Sequence, residues 1–252
     1  MTALAHERPA ALSSPGRRIG NVMRMHVANP WPAVLLPWLI LFAIHAMMLA
    51  IWAIISHYAG PDLDADAFRY SGGISWIVFY LMSIAIQATN ATFRFALGFS
   101  ATRRDYYLGT LAFFLITAAM FSTGIGVLAL VERATDGWGM GGSLYAPAYL
   151  YDRSFGEIVF HFFTLIALFA VIGLLIGAMY VRWRATGLYA FFGALSLVLL
   201  GLTWWLLDAG WGPVGRFFTE TPLVGILAWT LPVTVVLAVL GWVALRRAPA
   251  RG

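Results

Sequence analysis

Six stretches of this chain are long and apolar enough to cross a lipid bilayer, and that feature restricts the backbone to helix wherever it meets hydrocarbon. A helix rising about 1.5 Å per residue needs about 20 residues to traverse about 30 Å. The stretches run approximately Ala33–Ser56, Gly73–Thr92, Gly109–Val131, Ile158–Val181, Thr186–Leu207 and Leu223–Leu245. Pro37 and Pro232 fall inside two of them, where a membrane helix accommodates each as a kink. With 61% of residues hydrophobic and 11% charged, lipid rather than water must solvate most of the surface. The expected fold is all-α and integral to the membrane, with six transmembrane helices spanning residues 33–247.

The flanking segments are read from polarity. Residues 1–16 form a polar arm expected to be disordered, and residues 248–252 form a short tail. No short apolar core followed by a small-residue cleavage site occurs near the start, which argues against a cleaved signal peptide. Between positions 17 and 29, Ile19, Val22, Met23 and Val27 recur at helical spacing while Arg18, Asn21 and Arg24 fall on other faces, predicting a helix at the membrane interface. Asn29, Pro30 and Pro32 then end it.

Orientation follows from the arginines. Twelve of the sixteen lie in the N-terminal arm, around Arg94, Arg103 and Arg104, in the turn Arg182-Trp183-Arg184 and in the C-terminal tail. The opposite side holds Arg69, Arg133, Arg153 and Arg216. The positive-inside rule places the arginine-rich side in the cytoplasm, so an even number of spans puts both termini inside. The expected location is the inner or plasma membrane of a prokaryote. Because every basic residue is arginine, the chain contains no P-loop lysine and is not a self-contained P-loop ATPase. It has no cysteine, hence no disulfide, thiolate metal site or cysteine nucleophile.

The segment between the second and third stretches carries the most information. Gly98 is suited to end one helix in a left-handed cap, and Thr102 followed by Asp105 is suited to start the next with a capping box. The result is a compact basic elbow. An ordinary positive-inside loop would share its charge, whereas Phe99, Tyr106 and Tyr107 suit a docked surface.

The run Ala-Leu-Gly-Phe-Ser-Ala-Thr-Arg-Arg-Asp-Tyr-Tyr-Leu-Gly at positions 96–109 resembles the first cytoplasmic loop of ABC-2 type transporter permeases. The likeness extends to the basic helix before the first span, the Arg-Trp-Arg turn and the aromatic segment before the last span. It implies a permease subunit of an ATP-driven exporter, with a coupling element at Leu97, Gly98, Phe99, Ser100, Ala101, Thr102, Arg103, Arg104, Asp105 and Tyr106 seated in a separate ATP-binding subunit. It further implies a connecting helix carrying Arg17, Arg18, Val22, Met23 and Arg24, and a second permease copy, identical or related. The resemblance places ATP and Mg2+ in the partner ATPase and no cofactor or catalytic site in this chain. It gives Trp211, Arg216, Phe217, Phe218 and Glu220 as a re-entrant segment capping the outer end of the path. An aromatic belt alone also accounts for Trp204, Trp205 and Trp211.

Polar residues inside the stretches have competing readings. Gln87 and Asn90 suit either a translocation path or interhelical hydrogen bonds, and His45 suits a cavity or a bond within the bundle. Glu157 and His161, one turn apart, suit an interfacial pair, since no third metal ligand accompanies them. Gly173 and Gly177 permit close helix contact. Mostly apolar walls favour an amphipathic cargo such as a drug, lipid or peptide. Two other classes stand beside this one: a non-transporting immunity or sensor subunit, and a membrane-embedded haem or hydrolytic enzyme, for which no convergent constellation is present.

Overall fold

The structure is a computed structural model that describes residues 14–59, 68–99 and 101–249. Ser100, most of the arm, the aspartates at 62, 64 and 66 and the last three residues lie outside the described residues. The described chain is helical: α1 (Pro15–Val27), α2 (Leu36–Ala59), α3 (Trp76–Gly98), α4 (Arg103–Ala134), α5 (Ala148–Tyr151), α6 (Phe155–Ala209), α7 (Gly212–Glu220), α8 (Leu223–Ala228) and α9 (Thr230–Leu245). Among the described residues five helical segments, the last of them α8 with α9, are long and apolar enough to cross a membrane, the build of a multi-pass membrane protein.

The fourth and fifth expected stretches form one element, α6, of 55 residues. A straight helix of that length would reach about 80 Å, more than twice the thickness of a hydrocarbon layer. It is not straight. At Arg184 the backbone turns to φ 58° and ψ −155°, a conformation open chiefly to glycine, so the helical hydrogen-bond ladder breaks within the Arg-Trp-Arg sequence. The sixth stretch is likewise divided at Trp229, with Pro232 just inside α9.

The core is built from α3, α4 and the first half of α6. Glycines allow the backbones to close: a Cβ on Gly177 would lie 2.7 Å from Cβ of Thr89, and one on Gly173 would lie 2.9 Å from Cβ of Ala85. These two glycines therefore serve packing within the chain. Ile77, Leu81, Phe121, Ile125, Ile158 and Ile166 fill the space between the three helices. Helix α2 joins them through Trp38, whose ring stacks on Phe121 at 5.0 Å over Gly124, and through Trp52, which lies over Gly142. A wide turn at Trp31–Leu35 leads into α2, as expected where Pro32 and Pro37 each remove a helical N–H donor. Helix α9 leans on the first half of α6, with Arg182 donating to the carbonyl of Val243. Residues 192–205 in the second half of α6 are exposed throughout.

Candidate functional site

Helix α3 ends without the expected left-handed glycine. Gly98 remains helical, and the stop falls on Phe99 (φ −94°, ψ 30°), whose N–H turns back to the carbonyls of Phe95 and Ala96. The Ala101 N–H also reaches the Ala96 carbonyl, so the bend closes on itself. These bonds satisfy terminal carbonyls of α3 without a left-handed residue at Gly98 or Phe99.

Helix α4 begins as expected at Thr102, whose hydroxyl accepts from the Asp105 N–H at 3.1 Å. The reciprocal half of the capping box is replaced by a longer-range bond. Asp105 is buried, and its carboxylate accepts from Nε of Arg18 on α1 at 2.8 Å. That ion pair starts a seam: Val22 rests against Gly109, and His26 meets the Thr110 hydroxyl at 3.0 Å while stacking on Phe113. The matched order of contacts shows α1 running alongside the first turns of α4 in the same direction. Burial lowers the pKa of His26 to about 4, so its imidazole is neutral at physiological pH.

The predicted coupling residues divide into two groups. Gly98, Phe99, Thr102 and Arg104 are exposed, and Leu97, Ala101 and Arg103 are half-buried, while Ser100 lies outside the described residues. Asp105 and Tyr106 face inward and form the footing of the elbow. Tyr106 is 1% exposed, shares a hydrogen bond of 2.9 Å with Thr92 and sits edge-on to Phe93. Tyr107 donates to the Ala238 carbonyl at 2.5 Å, which ties the elbow to α9. Of the connecting-helix residues, Arg17 and Arg24 are exposed, Arg18 and Met23 are half-buried and Val22 is buried. Between α1 and the elbow lies an open groove of ≈ 530 Å³.

The residues expected to line a path are not brought together. Gln87 is exposed and Asn90 half-buried on the half of α3 nearer the elbow. His45 lies at the far layer, stacked on Tyr145 at 5.3 Å and edge-on to Trp138 at 4.8 Å. Trp211, Phe217, Phe218, Arg216 and Glu220 are exposed on or beside α7, which buries none of its residues. Glu157 does not meet His161. It forms a complete capping box with Ser154 and approaches Arg153 at 3.6 Å, because a helix N-terminus offers a carboxylate closer donors than a ring one turn away. Among the described residues no three metal-binding side chains gather.

One polar site has no counterpart in the sequence reading. Glu132, 0% exposed at the end of α4, accepts from the backbone N–H of Leu144 at 2.8 Å and from those of Tyr145 and Ala146, and from the Ser143 hydroxyl at 3.0 Å. The Ser143 hydroxyl also contacts the Ala146 carbonyl. Four donors converge on one carboxylate, which lets a non-helical segment lie among buried side chains with its N–H groups satisfied. Upstream, Asp136, Gly137, Trp138, Gly139 and Gly141 take positive φ, giving the reversal that brings the segment back. Arg133 donates to the carbonyls of Leu150 and Arg153, and Tyr151 is flanked by the guanidinium groups of Arg69 at 4.5 Å and Arg133 at 5.6 Å. Burial, and after it the Glu132 carboxylate, pushes the Tyr145 phenol upward in pKa. The clue available was a lone acid in an otherwise apolar run, Leu130-Val131-Glu132, followed by a glycine-rich loop.

Comparison with family models, with curated proteins and with solved structures found no match to the chain.

Proposed function

We propose that the chain is the membrane-spanning permease subunit of an ATP-driven ABC exporter of the ABC-2 type. In this reading the break at Arg184 separates a fourth from a fifth span, giving six spans with the arginine-rich end and both termini in the cytoplasm. The observation that carries the proposal is the construction of the elbow. Its outer residues, among them Phe99, Thr102 and Arg104, are presented on a turn whose base is fixed to α1 by Asp105, to α3 by Tyr106 and to α9 by Tyr107. A projection tied to three helices transmits a push from a separate ATPase to the bundle, which an independent solvated loop does not. The cargo is amphipathic or hydrophobic, since the exposed faces of α2, α9 and the second half of α6 are overwhelmingly apolar. A second copy of the permease, identical or related, completes the transporter.

The test is co-purification of tagged protein with the ATP-binding subunit encoded nearest to it, using wild type and Arg103→Glu/Arg104→Glu. Retention by wild type and loss in an equally well inserted variant is the expected result. Binding without any effect on cargo flux points to the sensor or immunity role, and failure to bind any ATPase overturns the proposal.

A further inference from the structure

The groove between α1 and the elbow has the chemistry of an amphiphile site, and this inference does not depend on the exporter reading. Its walls are apolar: Val22 and Met25 on α1 face Phe95 and Phe99 at the end of α3. Phe99 is 73% exposed and Phe95 57%, and the two rings contact each other at 4.6 Å, so a sizeable aromatic surface is left uncovered beside buried Val22. At 23 residues and about 35 Å, α3 is just long enough to cross hydrocarbon, which places Phe95 and Phe99 where the chain leaves it.

Arg18 and Asn21 add polar groups to this lining, and Arg17, Arg24, Arg94, Arg103 and Arg104 lie within a few positions of lining residues in sequence, while Asp105 is the one acid among described residues 14–30 and 90–110. Arg18 lines the groove and engages Asp105 through Nε alone, so among the described residues the four N–H donors at the end of its guanidinium have no partner. Arg103, two positions beyond Ala101 in the groove wall, holds its Nε buried with no hydrogen-bond partner among the described residues. Planar guanidinium donors beside an apolar trough match a phosphodiester attached to acyl chains, and basic pockets beside transmembrane helices on the arginine-rich side have this specificity.

We infer that this groove binds an anionic phospholipid, the phosphate held at Arg18 and its neighbours and a chain laid along Phe95, Phe99 and Met25. A lipid seated there would join α1 to the end of α3.

The test uses the purified full chain in a non-ionic detergent, with thermal unfolding and native mass spectrometry as readouts. Phosphatidylglycerol is expected to raise the midpoint and appear as a bound adduct, while phosphatidylcholine and soluble glycerol phosphate do neither. Arg17→Gln and Arg24→Gln should each weaken the effect about fivefold, the weight of one basic residue at an anionic surface. Ala101→Trp, which fills the groove, should abolish it; Phe99→Glu, at an exposed position, provides the same check should the first variant fail to fold. Equal stabilisation by phosphatidylcholine, or by glycerol phosphate alone, overturns the inference, as does a phosphatidylglycerol effect that survives both variants. Absence of any phosphatidylglycerol effect overturns it as well, and ATPase co-purification lost in Ala101→Trp would then assign the groove to a protein partner.

Discussion

At the scale of single residues, Glu132 and His26 have opposite vulnerabilities. Among the described residues Glu132 is the sole acceptor for three backbone N–H groups, so Glu132→Ala leaves buried donors without partners, each worth about 1–3 kcal/mol. We expect a loss of about 3–5 kcal/mol for Glu132→Ala and about half that for Glu132→Gln, which keeps one oxygen. Melting curves in detergent would read this as a fall of roughly 2–4 °C per kcal/mol, with exposed Asp152→Asn unchanged. His26 is sensitive to acid instead. Its folded-state pKa of about 4 lies below the ordinary 6.5, so the unfolded chain binds the proton more readily between those values. Its contribution is complete above pH 6.5 and is lost as pH falls toward 4, by about 1–2 kcal/mol at pH 5. Comparing melts at pH 7.5 and pH 5, the drop should shrink by that amount in His26→Phe, which keeps the stack on Phe113.

Between residue and bundle stand the helices and their joints, where much was legible in the sequence. Hydropathy locates α2, α3, α4 and α6 because a bilayer rewards uninterrupted apolar length, and Thr102 marks the start of α4 because its hydroxyl answers a local orphan N–H. Features set by distant partners were not legible. Asp105 reads as a capping residue until Arg18, 87 positions away, takes its carboxylate. Nothing beside Glu132 in sequence announces residues 143–146, which fold back onto it, and Gly98 reads as a left-handed cap although it stays helical and the stop falls on Phe99. The role of Gly177 is also settled by its neighbour. Gly177→Ala forces Cβ into Thr89 and should destabilise by about 1–3 kcal/mol, whereas Gly193→Ala, with nothing within 4 Å, should stabilise by about 0.5–1 kcal/mol through helix propensity. Unfolding midpoints of the two variants moving in the same direction would contradict this.

For the whole molecule, the arrangement of spans is the central question, and the absence of cysteine makes it directly testable. Single cysteines at Thr102, Thr186 and Pro249 should react with a membrane-impermeant maleimide only in inverted vesicles, and those at Asp152 and Glu220 only in intact cells. Were α6 a single crossing, Glu220→Cys would label from the side opposite to Asp152→Cys, and the six-span reading would fall. The same view explains why the second half of α6 buries so little: a helix surrounded by lipid or by another subunit needs no neighbours from its own chain.

The carboxylate at the end of α4 also imposes an order of events. Its four donors come from residues made eleven or more positions later, and the loop that carries them is anchored beyond at Leu150 and Arg153 by Arg133. Until that stretch has left the ribosome and turned back, Glu132 has only water to bind. Closure of this corner therefore waits for residues 143–153, and a membrane-inserted chain truncated at position 142 should be cut by protease between positions 137 and 142, while the full-length protein resists.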